Sequence, residues 1–435
     1  MSANNNAANW LIVFNLKEFK YLNEEHLMEL RECSKLLSDK LIMEDYKTFM
    51  VEEFNMEKNY KSFLIDESVN SNLYFNPFEP VRDEIKTDVE RFSNDLKLVS
   101  TSKYYKLEIK YQIDYLYAYK LVESFNCVSY LELAFCHIPL NLLQFIFSNL
   151  SLLILEIHKN VIYINSEDFI VELPQTLVKL IYYNCYTKFI QNEGEPVKIM
   201  KHDSLHSDLH FLLNPQYLPN LKYFEYTDFH LSDTTNFDGF LALNPQLKSI
   251  KADLDFLHKN NLQVISLNNQ LERLEISWYG NLQFPDFKYP IIYSLKSLDC
   301  VIFDEYQCTF NLLPYCPNLE YLKINVYFMD QVYSGINLAG KLKNLKKIVL
   351  NLRQKQLFKS LLKFPLMNSL EEIEFIQFNP DKIDFESLEK LPKLKFVKFY
   401  GRWVDNVKKK FGGKIQKKGN WKIIYYNFNR VYHRA

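Results

Sequence analysis

Apolar residues recur along most of this chain in one short phrase, with two spacers after the first apolar residue and one after the second. Residues 316–327, CPNLEYLKINVY, show it with Leu319, Leu322 and Ile324. Eleven of the twelve steps between successive phrases are 24 to 27 residues, and one is 44. Such a constant period indicates stacked, equivalent units rather than an ordinary domain with coincidental spacing. The first apolar residues, used here as markers, are Tyr104, Val128, Leu152, Leu177, Leu221, Leu247, Leu271, Leu295, Leu319, Leu345, Leu370, Leu394 and Trp421.

Each phrase predicts a short strand whose apolar side chains point inward, because side chains alternate between the two faces of a strand. Segments between phrases, such as DKIDFESLEKLPK, have helix-like spacing and end at a proline. One unit cannot bury its own apolar face, so each needs stacked neighbours. We therefore predict an α/β solenoid over residues 104–435, with a curved parallel sheet and one strand per repeat of about 25 residues. The long step is either one degraded repeat or an insertion near residues 186–215.

The period and the L-x-x-L-x-L phrase resemble those of leucine-rich-repeat proteins. That family usually has Asn or Cys eight residues after each marker, where the side chain bonds the turn backbone. Four such positions match here, namely Cys136, Asn160, Cys185 and Asn429. Others hold Phe229, Tyr279, Phe303 and Tyr327, so the resemblance is to degenerate repeats. It implies a protein that binds partners on the concave face of its sheet.

Residues 10–49 carry apolar pairs three apart, which predict two or three short amphipathic helices. FKYL (residues 19–22), HLMELRECSKLLSD (residues 26–39) and the trailing Tyr46 and Phe49 resemble the F-box, by which substrate receptors dock on the Skp subunit of cullin ubiquitin ligases. The family's usual opening, Leu-Pro-x-Glu, corresponds here to Trp10 to Val13. The alternative is a plain helical cap on the first repeat. The resemblance implies that the contacts with Skp are Phe14, Phe19, Leu22, Leu27, Leu30 and Leu37.

These patterns divide the chain into an F-box-like module (residues 1–50), a linker or degenerate first repeats (residues 51–103) and the solenoid (residues 104–435). Residues 138–155 carry no charge, but polar residues interrupt them, which favours a buried helix followed by a strand over a membrane span. The N-terminus lacks the features of a signal peptide, and seven scattered cysteines form no C-x-x-C pair. We expect a cytoplasmic or nuclear protein, or both.

Nothing in the sequence indicates catalysis. Only 9 glycines are present, whereas phosphate-cradling loops need several close together. His202, His206 and His210 have helical spacing, but no further ligands cluster with them, and surface histidines are the more common explanation. We therefore predict a protein that is not an enzyme and binds no metal or cofactor.

Two charged regions are candidate binding surfaces. The residue four after each marker should point away from the core, and many of these residues are acidic, which suits a basic partner or is simply what a solvated position needs. The predicted substrate-facing residues are Glu108, Glu132, Glu156, Glu225, Lys251, Glu275, Asp299 and Lys323. Residues 393–435 carry 13 Lys or Arg and one acid, which suits contact with nucleic acid or a phosphorylated partner, or a solvated cap. This basic patch comprises Lys408, Lys409, Lys410, Lys414, Lys417 and Lys418.

The two resemblances together predict a substrate-recognition subunit of an SCF-type cullin ubiquitin ligase. It would dock on Skp and the cullin complex by its N-terminus and hold a protein substrate on the concave face. The alternative is a structural scaffold or adaptor, since the chain also resembles F-box and repeat proteins that join Skp in a DNA-binding assembly at centromeres. In that case the basic C-terminus would contact DNA.

Overall fold

A computed structural model gives the fold. It describes residues 48–50, 74–75, 83–99, 101–110, 115–164, 171–189, 197–198, 214–227, 235–253, 259–277, 289–302, 312–326, 329–352, 361–379, 382–400, 416–418, 421–426 and 429–434. The six predicted contacts with Skp lie outside the described residues, as do the three spaced histidines and Lys408, Lys409, Lys410 and Lys414.

Short strands dominate the described residues, and helices lie between some of them. The strands are β1 (Thr48–Met50), β2 (Tyr74–Phe75), β3 (Lys106–Lys110), β4 (Tyr130–Ala134), β5 (His137–Pro139), β6 (Ile154–His158), β7 (Val161–Ile164), β8 (Lys179–Tyr183), β9 (Tyr186–Phe189), β10 (Val197–Lys198), β11 (Tyr223–Thr227), β12 (Ser249–Asp253), β13 (Arg273–Ser277), β14 (Ser297–Ile302), β15 (Tyr321–Val326), β16 (Lys347–Leu352), β17 (Glu372–Ile376), β18 (Phe396–Tyr400), β19 (Gln416–Lys418), β20 (Trp421–Tyr426) and β21 (Asn429–Arg434). The helices are α1 (Asp83–Lys97), α2 (Tyr115–Ser124), α3 (Leu140–Asn149), α4 (Thr235–Leu243), α5 (Lys259–Leu267), α6 (Met329–Ala339) and α7 (Phe385–Glu389), with 3₁₀ turns at Thr101–Lys103 and Leu313–Tyr315.

Thirteen strands form one parallel sheet in the order β1-β3-β4-β6-β8-β11-β12-β13-β14-β15-β16-β17-β18. Each neighbouring pair aligns the same position of the repeat, as where Leu298 lies opposite Leu322 and Leu322 opposite Ile348. These three side chains are fully buried. The stacked parallel strands and their period therefore confirm a leucine-rich-repeat-like solenoid for the described residues.

A regular hydrogen-bond ladder holds the strands in register where they begin. In each repeat the carbonyl of the residue after the marker accepts two amides of the next repeat. The Glu320 carbonyl, for example, accepts from the amides of Lys346 and Lys347 at 2.8 and 3.0 Å. This arrangement recurs in every step from Tyr105 to Phe396. A shift of one strand by one residue would break these hydrogen bonds and also turn its buried side chains to the opposite face.

The 44-residue step does not interrupt the sheet. β8 pairs directly with β11, and the amides of Lys222 and Tyr223 bond the Val178 carbonyl at 2.8 and 3.1 Å. The rings of Tyr182 and Tyr226 stack across this joint with centroids 4.9 Å apart. The strands on either side of the long step are therefore consecutive rungs of one core.

The helices pack on the apolar face of the sheet, and neighbouring helices such as α1 and α2, or α4 and α5, contact each other. Strands lie about 4.8 Å apart, whereas packed helices need about 8–10 Å. Because the helical side needs more room per repeat, we expect the sheet to lie on the inner side of the bend. α3 followed by β6 confirms the predicted buried helix and strand at residues 138–155. No helix of the described residues is long and apolar enough to cross a membrane.

The turns after three N-terminal strands share one conformation. Phe135, Lys159 and Asn184, each seven residues after a marker, have φ of 58°, 50° and 44°. This left-handed residue redirects the chain into a second parallel sheet, β5-β7-β9. As the repeat pattern implied, Asn160 bonds the turn: its Oδ1 accepts from the Cys136 amide at 2.8 Å, and its Nδ2 donates to the Leu133 carbonyl at 2.9 Å.

Both ends of the sheet differ from the sequence-based boundaries. The prediction of a further parallel repeat beginning at Trp421 is wrong, because β18 pairs antiparallel with β21, followed by β20 and β19. At the other end Phe49, predicted to trail the F-box-like module, lies in β1 and is 1% exposed. It packs against Tyr104 and Phe125 with ring centroids 5.3 and 4.4 Å away.

Candidate functional site

The face of the parallel sheet opposite the core, called here the polar face, carries three rows of side chains two, four and six residues after each marker. The first row consists of Lys106, Tyr130, Ile154, Lys179, Tyr223, Ser249, Arg273, Ser297, Tyr321, Lys347, Glu372 and Phe396. The middle row consists of Glu108, Glu132, Glu156, Ile181, Glu225, Lys251, Glu275, Asp299, Lys323, Val349, Glu374 and Lys398.

The pairing thus brings all eight predicted substrate-facing residues into one row. That they bind a substrate stays a prediction. Tyr425 does not extend the row, because Val431 lies opposite Lys398.

The middle row is more buried than an exposed column would be. Glu108 is 5% exposed and Asp299 3% exposed. Neighbouring side chains on the same face close over these carboxylates. Burying a charge is unfavourable unless it is paired and hydrogen-bonded, so the partners of each carboxylate define the chemistry of this face.

Two lysines and two glutamates form a closed group on β3 and β4. The amino group of Lys110 lies 2.9 Å from both Glu108 and Glu132. That of Lys106 lies 3.0 Å from Glu132 and also bonds Glu108. Burial alone would raise the pKa of Glu108, but the hydrogen bonds from the two lysines outweigh it and lower that pKa. The two lysines and two glutamates balance one another in charge.

Glu156 on β6 is the centre of the next group. Lys179 lies 2.8 Å from one carboxylate oxygen and His158 lies 3.4 Å from the other. Burial raises the pKa of Glu156, but the hydrogen bonds from His158 and Lys179 dominate together and bring it to about 2. Glu156 is therefore ionised at neutral pH.

Lys251 joins two carboxylates across three strands. Its amino group lies 2.8 Å from Glu225 on β11 and 3.4 Å from Glu275 on β13. The Tyr223 hydroxyl donates to Glu225 at 2.8 Å, and Arg273 lies 3.2 Å from Glu275. Burial would lower the pKa of Lys251, but the two glutamates raise it, so the bridge keeps its charge.

At Asp299 the effect of burial on the pKa exceeds that of the hydrogen bonds. Lys323 donates to it at 2.6 Å and the Asn325 amide at 2.9 Å. Burial nevertheless raises the pKa of Asp299 above its usual value. The side-chain amide of Asn351 donates to the side-chain oxygen Oδ1 of Asn325 at 2.8 Å. Hydrogen-bonded side chains therefore connect β14, β15 and β16.

The last group lies on β16 to β18. The amino group of Lys347 lies 3.0 Å from Glu372 and 2.8 Å from Glu374, and that of Lys398 lies 2.9 Å from Glu372. Burial would raise the pKa of Glu372, but the hydrogen bonds that it accepts lower it.

The polar face is therefore close to neutral from β3 to β18, and the expectation of an acidic surface for a basic partner is not supported. Nine acids meet eight Lys or Arg side chains in the three rows. The acids are Glu108, Glu132, Glu156, Glu225, Asp253, Glu275, Asp299, Glu372 and Glu374. The bases are Lys106, Lys110, Lys179, Lys251, Arg273, Lys323, Lys347 and Lys398.

Aromatic rings are the feature of this face that the sequence analysis missed. Lys106 lies 4.4 Å from the centroid of the Tyr130 ring, and Lys179 lies 5.5 Å from that of Tyr223. Lys347 lies 5.8 Å from that of Tyr321. Each of these lysines also bonds a carboxylate, so lysine, aromatic ring and carboxylate recur as a triplet. Reading the residues two after each marker would have revealed three places where lysine and tyrosine occupy adjacent strands.

Within the described part of the chain, no group of three or more His, Cys, Asp or Glu side chains is arranged to hold a metal. Four described cysteines are buried, and burial raises the pKa of Cys316 to about 12, so its thiol is unreactive. Cys136 and Cys185 lie beside carbonyls of their turns, 3.3 and 3.6 Å from the Ala134 and Tyr183 oxygens, as structural residues would.

Two residues of the predicted basic patch, Lys417 and Lys418, lie in β19, the last strand in the order of the sheet. That these lysines contact nucleic acid or a phosphorylated partner stays a prediction.

No protein-family model matches this chain, and no curated protein matches it either. Among solved structures, the chain is similar to one described as the crystal structure of a TLR13–ssRNA13 complex, with 19% sequence identity and a TM-score of 0.29. The match covers 71% of this chain but 38% of that one, so the chain matches well under half of that protein's length. The repeat architecture rests on the strand pairing itself.

Proposed function

We propose that this chain is a non-catalytic binding protein that holds a partner protein on its polar face. The observation that carries the proposal is the recurring triplet of lysine, aromatic ring and carboxylate on a continuous parallel sheet. Tyrosine and arginine are enriched in protein interfaces, and rings held in place lose little entropy on binding.

The dimensions of the polar face suit a protein partner. Thirteen strands about 4.8 Å apart extend over about 58 Å, and three rows along each strand span about 13 Å. The projected area is about 750 Å². A standard protein interface buries about 800 Å² on each partner, so the face is large enough for one.

The internal pairing of charges also predicts how binding proceeds. The carboxylates and amino groups are already held by one another, so little side-chain ordering remains to oppose association. A neutral face does not attract a partner over long distances. Recognition by the polar face itself would then depend on hydrogen bonds and ring contacts, and the contribution of this face to the association rate would change little with salt.

The finer proposal is that the partner is the substrate of a cullin ubiquitin ligase. It is supported by the resemblance of residues 19–22 and 26–39 to the F-box and by the repeat sheet that follows directly from Thr48. Holding a substrate near ubiquitin accelerates transfer by proximity and requires no catalytic group in this chain.

Affinity purification from cells tests both the binding of a partner protein and the role in a ubiquitin ligase. The deletion should end at residue 47, because Phe49 belongs to the core of the sheet. We expect removal of residues 1–47 to abolish recovery of Skp and leave other bound proteins in place. Recovery of Skp with the deletion variant would refute the ligase proposal.

A substitution on the polar face tests the binding proposal separately. Tyr321→Ala should release the bound partner while Skp is retained. Tyr293→Ala is the matched control, because this tyrosine is 64% exposed and lies before the strand, off the polar face. Equal loss in both variants, or in neither, would count against the polar face as the binding surface.

A further inference from the structure

A fourth row of side chains, called here the edge row, lies one residue after each marker, where the strands begin. Its members are Tyr105, Ser129, Leu153, Val178, Lys222, Lys248, Glu272, Lys296, Glu320, Lys346, Glu371 and Lys395. Their backbones are bonded to one another, with the Val178 amide 2.8 Å from the Leu153 carbonyl and the Lys222 amide 2.8 Å from the Val178 carbonyl. Consecutive members are therefore true neighbours, even across the 44-residue step.

The C-terminal half of the edge row neutralises itself. Glu272 pairs with Lys296 at 2.9 Å, and Glu320 pairs with Lys346 at 2.8 Å. Glu371 continues the alternation by pairing with Lys395 at 2.7 Å. This half has no net charge to offer a partner.

The first four members are different, because three of them are apolar and exposed. Tyr105, Leu153 and Val178 are 40%, 46% and 39% exposed. Tyr130 and Ile154 of the first row are half-buried beside them. Single exposed apolar residues are ordinary on a protein surface. Here Leu153 and Val178 are direct neighbours, only Ser129 separates them from Tyr105, and such a cluster marks an interaction site more often.

Lys222 and Lys248 follow this patch directly. Unlike the lysines of the C-terminal half, neither forms an ion pair with any residue that the structure describes. The edge row therefore changes from apolar to positively charged between β8 and β12. Lys222 and Lys248 therefore place positive charge beside the polar face, whereas the acidic middle row taken alone suggested a negative surface.

We propose that the edge row from β3 to β12 binds an extended segment of the partner protein in which apolar residues adjoin acidic ones. The inference rests on the proposed binding function and names the chemistry of the partner. Apolar side chains of the segment would cover Leu153 and Val178, and its carboxylates would pair with Lys222 and Lys248.

The length of the site sets the length of the segment. Five steps of about 4.8 Å between Tyr105 and Lys248 give about 24 Å, which is the length of about seven extended residues at about 3.3 Å each. The segment crosses the starts of the strands, and its apolar and acidic parts cannot exchange places without losing both sets of contacts.

Selection from a phage-displayed library of random dodecapeptides on the full-length chain tests this proposal. We expect recovered peptides to carry two or more apolar residues beside two or more Asp or Glu. Leu153→Glu should weaken their binding by at least about tenfold, as for a residue at the centre of an interface. Lys222→Glu with Lys248→Glu should weaken binding by about tenfold at low salt and by less at high salt.

Leu267→Glu is the matched control, since Leu267 is 70% exposed and lies outside the edge row. It should bind the peptides as the wild type does. Peptides that bind Leu153→Glu as tightly as the wild type, peptides without acidic residues, or a failure to recover any binder would overturn the proposal. Peptides that bind Leu153→Glu normally but lose affinity with Tyr321→Ala would refute the edge row and keep the polar face as the binding surface.

Discussion

Replacing Asn160 by alanine would remove the side chain that joins two neighbouring turns of the solenoid. Asn160 is fully buried, and its amide satisfies the Cys136 N–H and the Leu133 carbonyl, both of which are also buried. Alanine would leave one donor and one acceptor without a partner. A buried group left unsatisfied costs about 1–3 kcal/mol. We therefore expect the free energy of unfolding to fall by about 2–6 kcal/mol for the two groups together.

Urea denaturation followed by circular dichroism measures this loss. Asn149→Ala is the matched control, because Asn149 is exposed and its amide donates to Phe145 within the same helix. Its substitution should change the free energy of unfolding by less than about 0.5 kcal/mol.

Hydrogen exchange distinguishes a local effect from a general one. The Cys136 amide loses its acceptor in Asn160→Ala, and a loss of at least about 2 kcal/mol corresponds to exchange at least about 30-fold faster. Amides in β15 and β16, many repeats away, should exchange as in the wild type, because each repeat contacts only its neighbours. Unchanged exchange at Cys136 together with a stability loss below about 1 kcal/mol would refute the reasoning.

Three further predictions follow from single sites. Gly340→Ala would place a Cβ 2.9 Å from the Pro365 side chain. We expect this overpacking to exceed the gain of about 0.4–1 kcal/mol from a less flexible unfolded chain, so that the melting temperature falls. A rise in the melting temperature would show that the proline moves aside. The pKa of Glu156 is about 2 in the folded protein against the usual 4.5, so its stabilising contribution is complete above about pH 4.5 and is lost as the pH falls towards 2. Glu156→Gln should reduce the pH dependence of the free energy of unfolding in that range. An unchanged pH dependence would contradict the lowered pKa. Glu substitutions at Lys408, Lys409 and Lys410 should leave the affinity for duplex DNA unchanged at 150 mM salt. If the wild type binds DNA tightly in a salt-sensitive way and these variants do not, the scaffold alternative is favoured.

The period of the chain was sufficient to predict the core, because burial in a solenoid depends mainly on neighbours at one fixed spacing. Leu322 and Ile324 are buried where the phrase placed them, and Cys136 and Asn160 lie in the turns. The N-terminal strand was missed, although Tyr46, Phe49 and Val51 repeat the same spacing, because 58 residues separate Tyr46 from the next marker, Tyr104. At the other end, Trp421 begins a phrase of the right spacing in β20, which runs in the same direction as β18 but is separated from it by the antiparallel strand β21. Spacing alone does not indicate which strands are neighbours in the sheet.

The net charge of the polar face depends on side chains outside the middle row, which the sequence analysis did not include. A row taken alone shows Glu108 and Glu132 side by side and implies repulsion. On the folded sheet the groups nearest to Glu132 are Lys106 and Lys110, two residues before and after Glu108 on the same strand. Charge in a repeat protein is therefore decided across rows as well as along them. In the edge row the outcome is the opposite at Lys222 and Lys248. Adjacent repeats carry like charges there, and neither lysine forms an ion pair within the described residues. A partner's acidic groups could bind these two lysines without displacing a carboxylate of this chain, as they would have to do along the paired rows. The edge of the sheet, rather than its middle, should therefore determine binding specificity.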